Sequence, residues 1–423
     1  MRIVCLVSVV WVLVGAGVAR AAPFGSPVSF ALAGGASSGS PEAVIGAPGG
    51  MFASVWSADA GLSWFVPRPP GLEVAFQDFS GRSATFSLGT LADDTISRVA
   101  LNARGVATIA WEQYGQRIFV ARCSVGGCSS PRRIGNAEVR ETEPPFSVLA
   151  LASDGRRSVV LWPGRKRLRF RVLTGDSFGA AGSLPETGTL PALTTVGRRF
   201  VAMWNGRGGL RTAAMRVGGR AFTRPRTALH AVRPLEVQVL SGSRTALVAW
   251  RNPAAQLVVA DLRGDGSLGP RQTFSDVPAS VQLAQGANGR AIIAYPAGTC
   301  LSGSPTVSVR VRLREPRHPR FGAPVTLDTE AQCPISTAVD AQGRASVAWI
   351  ARTSDGGTAP MASVAQSGGP FAPPQTLDHE MCAAPCRTQA IALTTAGPMT
   401  AAVWTQGNEQ LGNQATARAA LAR

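Results

Sequence analysis

Short apolar runs that close on an aromatic residue recur along the whole chain. They are MFASVW at Trp56, VATIAW at Trp111, SVVLW at Trp162, FVAMW at Trp204, ALVAW at Trp250, AIIAY at Tyr295, ASVAW at Trp349 and TAAVW at Trp404. The gaps between successive aromatics are 55, 51, 42, 46, 45, 54 and 55 residues. A repeat of that length is one supersecondary unit, and it matches a propeller blade. Within each period apolar and polar positions alternate on two residues, and Gly or Pro punctuates about every 8 to 12 residues, which predicts short antiparallel strands.

Four strands, a to d, fit each period. Strand a is the apolar piece before a Gly turn, as at residues 147–152 and 389–394. Strand b ends on the aromatic. Strand c follows, as at residues 117–122, 256–261 and 307–313. Strand d carries a Phe-x-x-Pro signal, clean at Phe222–Pro225, Phe321–Pro324 and Phe371–Pro374 and degenerate at Leu268–Pro270 and Cys128–Pro131. Proline suits the outermost strand, one edge of which is unpaired.

The two ends complement each other. Phe24 to Phe30 reads as a d strand with no a, b or c before it, and Ala415 to Ala422 as a c strand with no d after it. Joining them completes an eighth blade and removes the free sheet edges of an open array. The expected fold is therefore an all-β propeller of four-stranded antiparallel blades, eight of them with seven as the alternative, closed by the N-terminal strand on the C-terminal blade.

The leader changes the compartment. Arg2, an apolar run from Ile3 to Ala19 and the small-x-small Ala19-Arg20-Ala21 predict a signal peptide over residues 1–21, with residues 22–423 as one domain. No later segment reaches the roughly 18 uninterrupted apolar residues of a spanning helix, so a secreted chain without a membrane span is expected, and a monomer. Six cysteines then remain, an even number in an oxidising compartment, and their order predicts Cys123 with Cys128, Cys300 with Cys333 and Cys382 with Cys386. His230, His318 and His379 do not supply zinc-site spacing. The formal charge is +17, or +15 once Arg2 and Arg20 leave. Lys166 is the only lysine, which points to a GC-rich genome rather than a nucleic-acid surface, and nucleic acid is not expected as a partner. The run Arg165-Lys166-Arg167, Arg169 and Arg171 alternates with Leu168 and Phe170, as the solvent face of a strand does.

Ser57-x-Asp59-x-Gly61-x-Ser63-Trp64 fits the Asp box, so the chain resembles sialidase-type (BNR repeat) propellers. In that family the box is a fold fastener joining strands c and d, whereas here it follows strand b. The resemblance implies a sialidase's catalytic set only if its tyrosine nucleophile and arginine triad are present. The chain has two tyrosines, Tyr114 and Tyr295, the second at a core aromatic position, and no Arg-Ile-Pro motif opens the mature chain. Gly35 to Gly39 (Gly-x-Ser-x-Gly) and Gly264 to Gly269 (a dinucleotide-like fingerprint) lack the helix that either chemistry needs and read as turns.

Acids concentrate in the d-to-a links, which hold 11 of the 25, among them Asp93, Asp94, Glu141, Glu143, Asp328, Glu330, Asp378 and Glu380. The b-to-c turns emerge on the same face and add Asp59, Glu112, Asp355 and Glu409. Those eight link acids are the candidate ligand-binding residues. Convergent carboxylates suit a hard cation, so calcium is a possible cofactor with its ligands unassigned. The expected function is a binding or scaffold module for an extracellular carbohydrate, cell-wall polymer or protein, met on that face; no catalytic residue is assigned. The alternative is a glycoside hydrolase of sialidase-like type, which needs two carboxyls about 5 to 9 Å apart.

Overall fold

The computed structural model describes residue 24 and residues 28–30, 41–46, 51–58, 71–78, 83–90, 97–102, 104–113, 117–137, 149–175, 177–230, 234, 237–278, 280–298, 307–316, 318–353, 357–378, 386–396, 398–408 and 415–422. Every regular element among them is a β-strand. The eight aromatics each lie in the second strand of a four-stranded antiparallel unit. In the Trp162 sheet, for example, Ala150–Ser153, Arg157–Pro163, Leu168–Thr174 and Ser177–Ser183 follow in order as a, b, c and d. One long strand, Val325–Val339, serves twice, as d of the Tyr295 unit and a of the Trp349 unit.

Burial explains the composition of each strand. The b strands lie between a and c within a sheet and between neighbouring sheets outside it, so both their faces are covered. Ala345–Arg352 is buried at every position but the last, which is why these segments read as continuous apolar runs. Strand c keeps the alternation: in Leu168–Thr174, Leu168 and Phe170 are buried and Arg169 is exposed.

The innermost strands pack in succession. Pro41–Gly46 lies against Ser97–Leu101, then come Ala150–Ser153, Thr189–Val196, Val237–Leu240, Gln282–Gln285, Val325–Val339 and Cys386–Ala396, which lies against Pro41–Gly46 again. The chain is a β-propeller. Val28–Phe30 pairs antiparallel with Ala415–Ala422, Val28 opposite Ala419 and Phe30 opposite Ala417.

The Phe-x-x-Pro signal needs one correction. Its clean copies precede strand d instead of lying in it: Pro225, Pro324 and Pro374 come directly before the d pairing at Arg226–His230, Val325 and Gln375–Thr376, while the degenerate Leu268–Pro270 does lie in its d strand, Leu268–Phe274. Proline there ends the turn without removing a ladder donor. The phenylalanine reaches back to the preceding sheet, Phe222 edge-on to Phe170 at 5.0 Å and Phe321 to Phe274 at 6.1 Å. Gln272 clamps Phe321, accepting from its N–H at 2.8 Å and donating to its carbonyl at 3.1 Å. Gln375 clamps Phe24 in the same way, at 3.3 and 3.1 Å. Phe24 is thus held as Phe321 is.

At the a-to-b turns, arginines tie sheets together. Asp340 Oδ1 accepts from the N–H of Gln342 and Arg344 at 2.9 and 2.8 Å, and Gly343 takes φ 81°. A side chain at Gly343 would be strained and would meet Asn288 Nδ2. Arg290, fully buried, donates to the carbonyls of Gly343, Ala365 and Gln366 in the next sheet and pairs with Glu315 at 2.8 Å. Arg344, paired with Asp340, reaches the Pro398 carbonyl of the sheet after that.

Candidate functional site

Four seams between sheets, at the end where the d-to-a links and b-to-c turns emerge, define what this face can do. A core indole needs an acceptor for its N–H when buried. At the seam before the Trp349 sheet, Trp349 Nε1 donates to Asp328 Oδ2 at 2.6 Å, and Asp328 Oδ1 accepts from the Glu330 N–H at 2.9 Å. One seam earlier, Tyr295 Oη donates to Asp276 Oδ2 at 3.1 Å, and Arg312 Nη2 donates to the same oxygen at 2.8 Å. Burial opposes ionisation of Asp276, but the Arg312 and Tyr295 bonds outweigh it and hold the carboxyl below its ordinary range. Burial likewise raises Tyr295, against the pull of Arg312. Before the Trp204 sheet, Glu186 is held by Arg211, whose Nε donates to it at 3.0 Å.

The eight expected ligand-binding acids divide accordingly. Asp328 is half-buried and engaged with Trp349, and Asp378, at the same place one d strand later, is buried at 4% exposure. Glu330 is exposed. Asp93, Asp94, Glu141, Glu143 and Glu380 lie outside the described residues. A repeating signal marks the capping position in the sequence: Thr326-Leu327-Asp328, Thr376-Leu377-Asp378 and the looser Thr273-Phe274-Ser275-Asp276. Among the described residues no group of three or more His, Cys, Asp or Glu could hold a metal ion.

The seam between the Trp111 and Trp162 sheets is built differently. Here the d strand Arg132–Asn136 ends without a carboxylate, and Trp162 Nε1 donates to the Asn136 carbonyl at 3.0 Å. Gly135 permits the approach, since a Cβ there would meet the Trp162 ring at 2.6 Å. The b-to-c turn is closed by the Gly164 N–H on the Arg167 carbonyl at 3.0 Å, and the missing side chain of Gly164 leaves room for Arg169 to lie across it. Arg169 stands opposite Trp162 in register, so both rise on the same side of the sheet. The outcome is a cleft of about 550 Å³ whose walls include Gly135, Trp162, Arg165, Lys166, Arg167 and Arg169. Sequence patterning placed these cations on a strand's solvent face, and it was right about Leu168 and Phe170; the cleft depends on Gly135, which patterning does not single out.

Glu112 lies on the same seam. Thr108 and Glu112 are both even positions of one strand, and Thr108 Oγ1 bonds Ser158 Oγ of the Trp162 sheet at 3.0 Å. Glu112 is 6% exposed, and burial raises its pKa.

Cys123 and Cys128 form the expected disulfide, at an S–S distance of 2.05 Å across a c-to-d hairpin. Cys333 is disulfide-bonded; its expected partner Cys300, together with Cys382, lies outside the described residues, as does the side chain of Cys386. Of the Asp box, Ser57 belongs to strand b, Met51–Ala58, and strand c begins at Gly71, so Asp59, Gly61, Ser63 and Trp64 fall in a b-to-c connection outside the described residues. No helix among the described residues is long and apolar enough to cross a membrane.

No protein-family model matches the chain. No curated protein matches it either. Solved structures share its fold. The Dos1 propeller is 10% identical, with a TM-score of 0.53 over 93% of this chain and 94% of its own. The WD40 domain of SCAP from fission yeast is 8% identical, with a TM-score of 0.53 over 94% of this chain and 98% of its own. A prolyl endopeptidase structure is 11% identical, with a TM-score of 0.50 over 88% of this chain and 55% of its own. At such identities the likeness is one of fold, and function has to be argued from the site.

Proposed function

We propose that this chain is a secreted, non-catalytic binding or scaffold propeller, cleaved after residue 21. It has eight blades closed by Val28–Phe30 on Ala415–Ala422 and akin to the sialidase-type propellers in architecture. The observation that carries the reading is the recessed, cation-walled cleft beside Trp162, set on the link-and-turn face while Asp276 and Asp328 on that face are turned inward onto core rings. A carboxylate that accepts a hydrogen bond from a buried ring is a fastener between sheets. A rigid cleft between two packed sheets is a place for a ligand. The ligand is an extracellular carbohydrate, cell-wall polymer or protein. The test is a glycan and cell-wall polymer screen on residues 22–423, run in parallel with assays for glycosidic product release. Saturable binding without turnover is expected, and steady product formation from any bound glycan would overturn the reading.

A further inference from the structure

The cleft between the Trp111 and Trp162 sheets has a charge, a shape and an unspent hydrogen-bonding capacity that together specify its ligand. Arg165, Lys166, Arg167 and Arg169 make no ion pair and no hydrogen bond through their side chains among the described residues. All four are exposed. Arg132 and Arg133, on the d strand that forms the opposite wall, are exposed as well; Arg132 lies over the Phe178 ring at 4.3 Å, and Arg133 Nη2 donates to Asn136 Oδ1 at 2.6 Å. Two residues beyond Arg169 on the same strand face, Arg171 has its Nε buried with no hydrogen-bond partner. Four arginines at other seams, Arg290, Arg312, Arg314 and Arg344, each pair with a carboxylate. A cation cluster that the fold itself does not neutralise is available to an anionic ligand.

The spacing of the cations constrains the ligand further. Residues two apart on a strand lie about 6.7 Å from each other, so Arg169 and Arg171 stand in a row along Leu168–Thr174, with the exposed cations Arg165, Lys166 and Arg167 in the turn just before it. A row matches an extended chain with an anion on each of several successive units. The aromatic in the wall does not serve base stacking, because Trp162 is 2% exposed; single-stranded nucleic acids are held by bases laid on open rings. A lipid surface is met by apolar side chains inserted among the cations. The large hydrophobics exposed among the described residues, Val125 and Val325, belong to the c-to-d hairpin of the Trp111 sheet and to the Tyr295 sheet, and neither lines the cleft.

We infer that this cleft is the binding site for an acidic polysaccharide, its carboxylate or sulfate groups taken by Arg165, Lys166, Arg167 and Arg169. The inference rests on the binding-module reading and names the ligand class for it. It also relocates the site: the cations of one seam take the ligand, while the link acids Asp276 and Asp328 fasten others.

The test uses the chain from residue 22 onward and titrates polygalacturonate (carboxylated), heparin (sulfated), neutral dextran and single-stranded DNA by calorimetry at two salt concentrations. The R165E/K166E/R167E variant is compared with a control, R220E/R224E, that reverses two exposed arginines at a different turn. Intact near-ultraviolet circular dichroism establishes that each variant is folded. Binding of polygalacturonate or heparin, weakened by salt, by on the order of tenfold or more in the triple variant and far less in the control, is the expected result. Equal loss in both variants would reduce the effect to overall positive charge and overturn the site. DNA bound in preference to both glycans, or neither acidic glycan bound, would overturn the ligand class. Dextran bound with equal strength by wild type and triple variant, with neither acidic glycan bound, would overturn this inference and leave the binding-module reading standing, whereas turnover of a glycan would remove the latter.

Discussion

Two seams of one propeller meet the same requirement by different means. Between the Tyr295 and Trp349 sheets, charged groups fasten both ends: Arg290 is sunk among three carbonyls at the a-to-b end, and Asp328 caps Trp349 at the other. Between the Trp111 and Trp162 sheets, the hydrogen bonds at the corresponding places are neutral, Thr108 to Ser158 at one end and Trp162 to the Asn136 carbonyl at the other. When the main chain caps the indole, no side chain has to fold inward, and the surrounding space and charges are left for something else. A charged cap spends the face on stability; a backbone cap leaves it open for binding.

The sharpest way to break the contrast is Arg290→Met. It removes a buried charge matched by three carbonyls and Glu315, leaving those acceptors dry, and such losses cost about 3 to 5 kcal/mol. A large fall in the urea midpoint is expected. Asp328→Ala comes next, because it strips the acceptor from a fully buried indole N–H; a loss of about 1 to 3 kcal/mol is expected, again by urea titration. The charge reversals at Arg165, Lys166 and Arg167 touch no seam bond, so they are expected to leave that midpoint within about 0.5 kcal/mol of wild type. A midpoint that falls as far for that triple variant as for Asp328→Ala would erase the distinction between the two seams.

The fold was legible because every blade repeats the same physical demand. Each needs one b strand apolar on both faces and closed by a ring, and turns that require residues such as Gly343, so the period survives even where sequence identity between blades does not. Strand d begins a few residues later than the Phe-x-x-Pro pattern suggests, because Phe222 and Phe321 turn their rings onto the preceding sheet. The site was less legible. In sequence, Asp328 and Glu330 are two acids of one polar link; only the register of the d strand turns the first onto Trp349 and leaves the second exposed. Patterning reads the basic run as one strand face, which holds for Arg169 and Arg171, whereas Arg165, Lys166 and Arg167 lie in the turn before the strand. Its meaning depends on Gly135, 30 residues earlier in the chain, and a single glycine carries no pattern of its own.

Glu112 gives the finest test, since it is a buried carboxylate on the seam whose inter-sheet hydrogen bonds are neutral. Its partner across the strands is Ile118, which in turn faces Gly135, so it lies in the cross-strand row that ends at the cleft wall. Burial raises its pKa, so the folded chain holds the proton more tightly than the unfolded chain does. Below the ordinary glutamate range both states are protonated and the side chain costs nothing on that account. As pH rises into and through the raised value, the unfolded chain ionises freely while the folded chain must either keep the proton or bury a charge, and stability falls. Glu112→Gln removes that liability. The variant is therefore expected to melt with wild type near pH 4 and modestly above it at pH 7, by a smaller margin than the Asp328→Ala loss, with the difference opening across the interval between. Melting curves that stay parallel over that whole range, or a variant less stable at pH 7, would show that the carboxylate is matched in the seam, and the contrast between a charged and a neutral seam would then have to be redrawn.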